Sequence, residues 1–124
     1  MIIGYPPERP LVYVIARYSS PEKETVFRNI QRAVDIGSEI NRTGLAWAVV
    51  PHQVGRGMEK SLPTEGWYGM TRALMRRCDA AWVVDSDTVG CEGEIADALA
   101  RQLPVGFWGG IDLKIFLAGL VVPQ

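Results

Sequence analysis

The stretch of this chain with the clearest capacity for chemistry runs from Asp85 to Glu94. It follows an apolar run, and its glycines allow the backbone to approach a ligand closely. We expect Glu94 in the first turn of the next helix, where the helix dipole favours an ionised, nucleophilic carboxylate unless burial desolvates it. Such a carboxylate can attack the anomeric carbon of a sugar if a second group serves the leaving group. Alternatively, Glu92 and Glu94 only complement the positive helix end.

Polar side chains also follow two earlier apolar runs. Arg17, Ser19 and Ser20 lie between the first run and a predicted helix N-terminus, a place that suits a phosphate group. The alternative for these three residues is simple helix capping. His52 follows the second run, where it can contact a base or a sugar hydroxyl, or act as a structural hydrogen-bonding residue.

The elements that must position these residues alternate between buried strands and amphipathic helices. Continuous apolar runs predict strands over 11–16, 45–50, 80–84 and 104–108. Apolar spacing predicts three helices. The first has N-cap candidates at Ser19 and Ser20, Pro21 in its first turn and its end near Gly44, and the others cover 64–77 and 91–102. Residues 111–120 fit either a helix or a strand. The stretch 52–63 has no periodicity and is predicted to be a functional or mobile loop.

This alternation predicts an α/β fold, a flavodoxin-like or Rossmann-like three-layer sandwich around a parallel sheet of about four to five strands. Ligands of such sheets bind beyond the carboxyl ends of the strands. That rule selects residues 17–20, 51–58 and 85–90 and the turn near Trp108. Trp67, on the second helix, can stack on a base across the cleft. Trp47, Trp82 and Trp108 are predicted to be core residues.

The composition describes one folded domain. Of the 124 residues, 48% are hydrophobic and 22% charged, and the formal net charge is −1. We therefore expect a single domain over 1–124 with a proline-rich leader over 1–10. Without a Lys/Arg run we expect no nucleic-acid partner, and without an apolar run near the ~20 residues of a membrane span we expect no membrane partner. The apolar run 115–122 is expected to be buried in the core or in a subunit contact.

Several classes of site lack their residues in this sequence. Cys78 and Cys91 form no C-x-x-C pair and His52 is the sole histidine, so a Cys/His zinc site and a disulfide framework are not expected. A reduced, cytoplasmic protein is the expectation. The P-loop and G-x-S-x-G motifs are absent. We expect no metal and no organic cofactor.

Four short motifs occur in the order of a known family. They are Val12 to Tyr18, Val50-Pro51-His52, Cys78-Asp79-Ala80, and Thr88 to Glu94. Together they resemble the nucleoside 2-deoxyribosyltransferase-like superfamily, and most of all its short members of unassigned function. The likeness spans roughly 12–105, and the G-x-x-x-E element that ends at Glu94 is its most specific part.

The resemblance implies an enzyme that cleaves N-glycosidic bonds in nucleosides or nucleotides. Glu94 would attack the anomeric carbon, Tyr18 would orient this nucleophile, and Asp79 would recognise the base or deliver a proton. The chain departs from the transferases at Thr88, where they carry an aspartate two residues before the motif glycine; here Asp87 lies one position earlier. A hydroxyl does not replace a carboxyl as an acid, so the protonation of the base is the step that this departure affects.

These observations lead to a specific expectation. The protein cleaves or transfers the glycosyl group of a nucleoside or nucleoside monophosphate through the catalytic residues Glu94, Tyr18 and Asp79. The small-molecule substrate is bound by Arg17, Ser19, Ser20, His52, Trp67, Asp85, Asp87, Thr88 and Gly90. The alternative is a non-catalytic nucleotide-binding or sensing module with the same pocket. We also expect a homo-oligomer, a dimer or larger.

Overall fold

The fold is a parallel sheet covered by helices on both faces. The computed structural model describes residues 8–54 and 58–120. Its strands are β1 (Leu11–Ile15), β2 (Trp47–Val49), β3 (Ala80–Val83) and β4 (Val105–Phe107). Its helices are α1 (Lys23–Arg42), α2 (Thr64–Met75), α3 (Val89–Ala100) and α4 (Leu113–Ala118), with short 3₁₀ turns at Pro51–Gln53 and Glu59–Ser61. The strand order is β2-β1-β3-β4 with every pair parallel, which confirms the predicted flavodoxin-like or Rossmann-like α/β fold.

A hydrophobic cluster lies on each face of the sheet, between the sheet and a layer of helices, because successive residues of β1 point to opposite faces. Val12 and Val14 pack into one cluster with Ala33 and Ile40 of α1, and Leu117 of α4 belongs to the same cluster. The other cluster contains Tyr13 and Ile15 of β1, Met75 of α2 and Ala98 of α3. Helices α1 and α4 therefore cover one face, and α2 and α3 cover the other.

The first helix follows its predicted apolar face but begins later than predicted. Ala33, Gly37 and Ile40 are buried, as the spacing indicated. The N-cap residue is Glu22, which makes no side-chain cap hydrogen bond, and Pro21 precedes the helix. Ser20 Oγ accepts from the N–H of Glu22 at 3.2 Å, outside the helix. The prediction that a serine caps this helix is wrong because its hydroxyl serves the preceding turn.

The third helix begins two residues earlier than predicted. Thr88 is its N-cap, and its Oγ1 accepts from the backbone N–H of Cys91 at 3.1 Å. A threonine here satisfies one of the free N–H groups of the first turn, which fixes the start of the helix at Val89. Glu94 therefore lies in the second turn rather than in the predicted first turn. Leu99, an apolar residue near the end of this helix, is 58% exposed.

The region after β4 is a helix rather than a strand. Asp112 caps α4 by accepting from the N–H of Ile115 at 3.2 Å. Leu117 is buried against the sheet. None of the helices in the described part of the chain combines the length and the apolar character that crossing a membrane requires.

Only one of the three tryptophans predicted to be core is buried. Trp82, on the central strand β3, is 2% exposed, whereas Trp47 is 46% and Trp108 is 67% exposed. Trp47 lies on the edge strand β2, where the guanidinium of Arg9 lies 3.8 Å from its ring centroid. Trp108 follows β4, the opposite edge. The prediction failed because an apolar run alone does not distinguish an edge strand from a central one.

Candidate functional site

A cavity of about 580 Å³ opens beyond the carboxyl ends of β1 and β3. The segments that follow β1 and β2 and the N-terminal parts of α2 and α3 contribute to it, together with Ile30 of α1. Its walls are formed by Ala16, Tyr18, Ser19, Ile30, His52, Val54, Leu62, Trp67, Tyr68, Thr88, Val89, Gly90, Cys91 and Glu94. The cavity thus lies where ligands of open parallel sheets bind.

Glu94 is the carboxylate of this cavity wall. Its Oε2 accepts a hydrogen bond from the hydroxyl of Tyr13, which reaches it from β1. Burial raises the pKa of Glu94 to about 7, although the Tyr13 hydrogen bond favours the ionised form and acts in the opposite direction. Glu94 was expected to be ionised in the first helical turn unless burial desolvated it; desolvation dominates here, and Glu94 lies beyond the first turn.

Tyr13 is the site residue that the sequence prediction missed. It is fully buried within β1, and burial followed by the nearby Glu94 charge raises its pKa above its usual value. Its hydroxyl therefore keeps its proton and acts as a donor. A signal was present in the sequence, because a tyrosine inside a fully buried strand needs a hydrogen-bond partner for its hydroxyl.

Two aromatic side chains lie together in the cavity wall. The rings of Tyr18 and Trp67 are stacked, with centroids 5.4 Å apart and planes 25° apart. The imidazole of His52 lies at 5.7 Å from the Tyr18 ring in a tilted arrangement. Tyr18 thus shares the cavity with Glu94, but the hydroxyl bonded to Glu94 belongs to Tyr13. This arrangement differs from the role in orienting Glu94 that the resemblance implied for Tyr18.

His52 is held by the backbone at the end of β1. Its Nε2 donates to the carbonyl oxygens of Ala16 at 2.9 Å and Arg17 at 3.2 Å. Burial lowers its pKa, so the ring is neutral, and with Nε2 as the donor its Nδ1 carries the lone pair. Nδ1 has no hydrogen-bond partner among the described residues. His52 therefore links the turn after β2 to the end of β1, and it also forms part of the cavity wall.

Four charged residues join the ends of β1 and β3 to α1. Asp85 accepts from the backbone N–H of Arg17 at 2.9 Å and from Arg32 at 2.7 and 2.8 Å. The guanidinium of Arg17 pairs with Asp87. Burial acts to raise the pKa of Asp85, but the Arg32 and Arg17 hydrogen bonds outweigh it and the net pKa is lowered. The Arg17 hydrogen bond also holds the pKa of Asp87 below its usual value.

Comparison with solved structures gives distant structural matches. The chain is similar to a 2-deoxyribosyltransferase from Bacillus psychrosaccharolyticus, a biocatalyst for nucleoside synthesis, with 14% sequence identity and a TM-score of 0.49. The match covers 89% of this chain and 82% of that chain. No protein-family model matches the chain. No curated protein matches it.

The structure brings together most of the residues predicted for the site. The cavity wall contains Glu94, Tyr18, Ser19, His52, Trp67, Thr88 and Gly90. Arg17, Asp85 and Asp87 lie beside it in the charged network. Ser20 is engaged in the turn before α1 and is not part of the wall.

Asp79 lies at the opposite end of the sheet. It precedes β3, and its Oδ2 accepts from the backbone N–H of Leu11 at 2.8 Å where β1 begins. The prediction that Asp79 serves the same site as Glu94 is corrected, because all strands are parallel and the starts of strands lie away from the cavity. Its carboxylate instead holds two strand starts together.

The side chains of the cavity wall determine which reactions the site can support. Glu94 is the one carboxylate among the described residues of the wall. No group of three His, Cys, Asp or Glu side chains in the described ranges is arranged to hold a metal ion. The described wall therefore offers one carboxylate with a tyrosine donor, flat aromatic surface, the hydroxyl groups of Ser19 and Thr88, and the thiol of Cys91, whose pKa is raised by burial.

Proposed function

We propose that the protein cleaves the N-glycosidic bond of a nucleoside or nucleoside monophosphate, or transfers its deoxyribosyl group, with Glu94 as the nucleophile. The observation that carries this proposal is the placement of Glu94 in the wall of a 580 Å³ cavity with an aromatic pair. A cavity of this volume is within the range that accommodates small ligands. The G-x-x-x-E motif and its order among the other motifs agree with the same chemistry.

In this proposal an ionised Glu94 oxygen forms a bond to C1′ while the bond from C1′ to the base nitrogen breaks. The base leaves with the electron pair and takes up a proton from solvent water. Water or a second base then attacks C1′, gives up a proton to solvent, and releases the Glu94 carboxylate. Tyr13 holds Glu94 by its hydrogen bond, and the Tyr18–Trp67 pair offers a surface on which a base can stack.

The test is release of free base from a panel of deoxynucleosides and their monophosphates, measured by chromatography. We expect Glu94→Gln to lower the rate by roughly 10³-fold or more, as expected when a covalent nucleophile is removed. The matched control is Glu92→Gln, which removes an exposed carboxylate from the same helix and should retain activity. Base release that survives Glu94→Gln, or no release from any compound, would overturn the proposal.

One observation favours a non-catalytic nucleotide-binding or sensing module as the second candidate. The described cavity wall contains no second carboxyl group that could protonate the leaving base, and Thr88 stands where the transferases carry an acid. This module would be stabilised by its ligand without turnover. Ligand at a hundredfold excess over its Kd should add about 2.7 kcal/mol to the free energy of unfolding. Thermal unfolding with and without each compound, read beside the base-release assay, separates the two functions.

A further inference from the structure

The backbone segment that carries Tyr18 into the cavity, residues 16–18, is held by side chains from three parts of the fold. We propose that Asp85 is a positioning residue of the site, which keeps Tyr18 stacked on Trp67 by fixing this segment and touches no substrate itself. This inference rests on the proposed function, because the aromatic pair is the surface proposed to bind the base. It differs from the expectation that Asp85 contacts the substrate.

Both carboxylate oxygens of Asp85 are used within the protein. Its Oδ2 accepts from the backbone N–H of Arg17 at 2.9 Å, and Arg32 donates to Oδ1 at 2.8 Å and to Oδ2 at 2.7 Å. The side chain of Asp85 is 10% exposed, and it is not among the described residues of the cavity wall. A bond from a backbone N–H to a carboxylate is charge-assisted, and it is stronger away from water. Asp85 therefore ties the segment after β1 to the end of β3 and to α1.

The carbonyl groups of the same segment are held as well. Nε2 of His52 donates to two of its carbonyl oxygens, at 2.9 and 3.2 Å. Nδ2 of Asn29, on α1, donates to the carbonyl oxygen of Tyr18 at 3.1 Å. Arg17 is thus fixed through its N–H by Asp85 and through its carbonyl by His52. These bonds set the direction in which the next side chain, that of Tyr18, leaves the backbone.

Tyr18 depends on its backbone for its position. Its side chain is at the cavity surface and the residue is 37% exposed, and its ring stacks on Trp67, which lies on a different element, α2. Glu94 is held separately, by the hydroxyl of Tyr13 in the buried strand β1. Loss of the Asp85 bond should therefore disturb the stacked pair and leave the hydrogen bond between Tyr13 and Glu94 in place.

The first test observes the aromatic pair in the free protein. Near-ultraviolet circular dichroism reports fixed aromatic packing, and Tyr18→Leu gives the spectrum of the protein without the stack. Asp85→Ala should reproduce most of the difference between Tyr18→Leu and the parent. Asp85→Asn keeps a side-chain oxygen that can accept from Arg17, so it should lose a smaller part of the signal. Asn29→Ala should change the spectrum in the same direction as Asp85→Ala, because it frees the carbonyl of Tyr18.

The second test separates substrate binding from the chemical step. In the base-release assay Asp85→Ala should raise KM roughly tenfold, which is within the contribution of base stacking on an aromatic side chain. Its kcat should stay within about twofold of the parent, the pattern expected when binding common to the ground state and the transition state is lost. Asp85→Asn should give an intermediate KM. A fall in kcat at an unchanged KM would assign Asp85 to the chemical step and overturn the inference.

The matched control is Asp112→Ala, at the start of α4. Its carboxylate also accepts from a backbone N–H, that of Ile115 at 3.2 Å, and Asp112 is not among the described residues of the cavity wall. Its near-ultraviolet spectrum and KM should match those of the parent. A change in Asp112→Ala as large as that in Asp85→Ala overturns the inference, because general destabilisation then explains both.

A folded Asp85→Ala protein with the parent spectrum also overturns the inference. If Asp85→Ala does not fold, Asp85→Asn and Asn29→Ala take its place, and parent spectra for both have the same meaning. If no compound releases base while the spectra change as expected, the proposed function fails and the positioning of Tyr18 by Asp85 stands. If base is released but the spectra and KM do not change, only the inference fails.

Discussion

Two opposing influences set the protonation of Glu94, and the chemistry proposed for the cavity depends on their balance. Removal from water disfavours the charged carboxylate, while the hydroxyl of Tyr13 stabilises it. With a pKa of about 7, a large fraction of the side chain is protonated at neutral pH. A perturbed carboxyl in a cavity wall is a common property of functional sites.

Activity should therefore depend on pH in a defined direction. A nucleophile must be ionised, so kcat/KM should rise about tenfold per unit below pH 7 and level off above it. Tyr13→Phe removes the hydrogen bond that favours the ionised form, and the rising limb should move to higher pH by roughly one unit. The measurement is the pH profile of base release for both proteins.

Tyr68→Phe is the control for this profile, because Tyr68 lines the cavity and, among the described residues, the hydroxyl bonded to Glu94 is that of Tyr13. Its rising limb should coincide with that of the parent. A Tyr13→Phe profile that moves to lower pH, or does not move, would contradict the role given to the Tyr13 hydroxyl.

The sequence led to Glu94 because glycines and an acidic residue beside a buried strand form a local pattern. Tyr13 was not found because its role depends on a contact between β1 and α3, residues 81 positions apart. Asp79 was misplaced because its role was taken from the family resemblance, although a residue before β3 lies at the opposite end of a parallel sheet from the cavity. Local patterns identify candidate groups, and the direction of each strand decides which of them meet.

Close packing of α1 against β2 and the residue that follows it leaves no room for a side chain at one glycine. A Cβ added to Gly37 would lie 2.6 Å from Cγ2 of Val50, whereas one added to Gly93, on α3, would meet nothing within 4 Å. Both residues lie inside helices. The two positions therefore separate the effect of packing from that of helix propensity.

We expect Gly37→Ala to lower the free energy of unfolding by about 1–3 kcal/mol, because the neighbouring side chain must move. Gly93→Ala should raise it by about 0.5–1 kcal/mol, because alanine is the better helix former and its methyl group projects into open space. Urea denaturation measures both values. Equal changes of the same sign in the two variants would show that the close approach of α1 to β2 is misjudged.

The order and type of the major elements were predictable because β1, β3 and α1 carry strong, continuous apolar patterns. The boundaries that failed depend on single hydrogen bonds, such as the one from the N–H of Cys91 to Thr88, which moves the start of α3. The exposure of Trp47 and Trp108 depends on strand order, which periodicity does not contain.

The burial of Glu94 should also make the free energy of unfolding depend on pH. Its pKa is near 4.5 in the unfolded chain and about 7 in the folded protein. The folded state therefore binds more protons between these values, and stability is lost as the pH rises through this window. Glu94→Gln avoids this loss, so at pH 8 it should be more stable than the parent by up to about 3 kcal/mol.

Near pH 4 the free energies of unfolding of Glu94→Gln and the parent should differ little, because the buried side chain is neutral in both proteins there. Urea denaturation at pH 4, 6 and 8 measures this, with Glu92→Gln as the exposed control that should track the parent. A stability gain for Glu94→Gln that is constant with pH would exclude the buried carboxyl as its source.

The prediction of a homo-oligomer is checked separately by sedimentation equilibrium.

The stacked Trp67 gives the cavity an intrinsic fluorophore. Trp82 is sealed in the core, while Trp47 and Trp108 are largely in solvent. Replacing Trp47 and Trp108 with phenylalanine leaves Trp67 in the cavity wall and Trp82 in the core as the two fluorescent side chains. Quenching of Trp67, measured against the constant emission of Trp82, would then report binding in the cavity in real time, without a label.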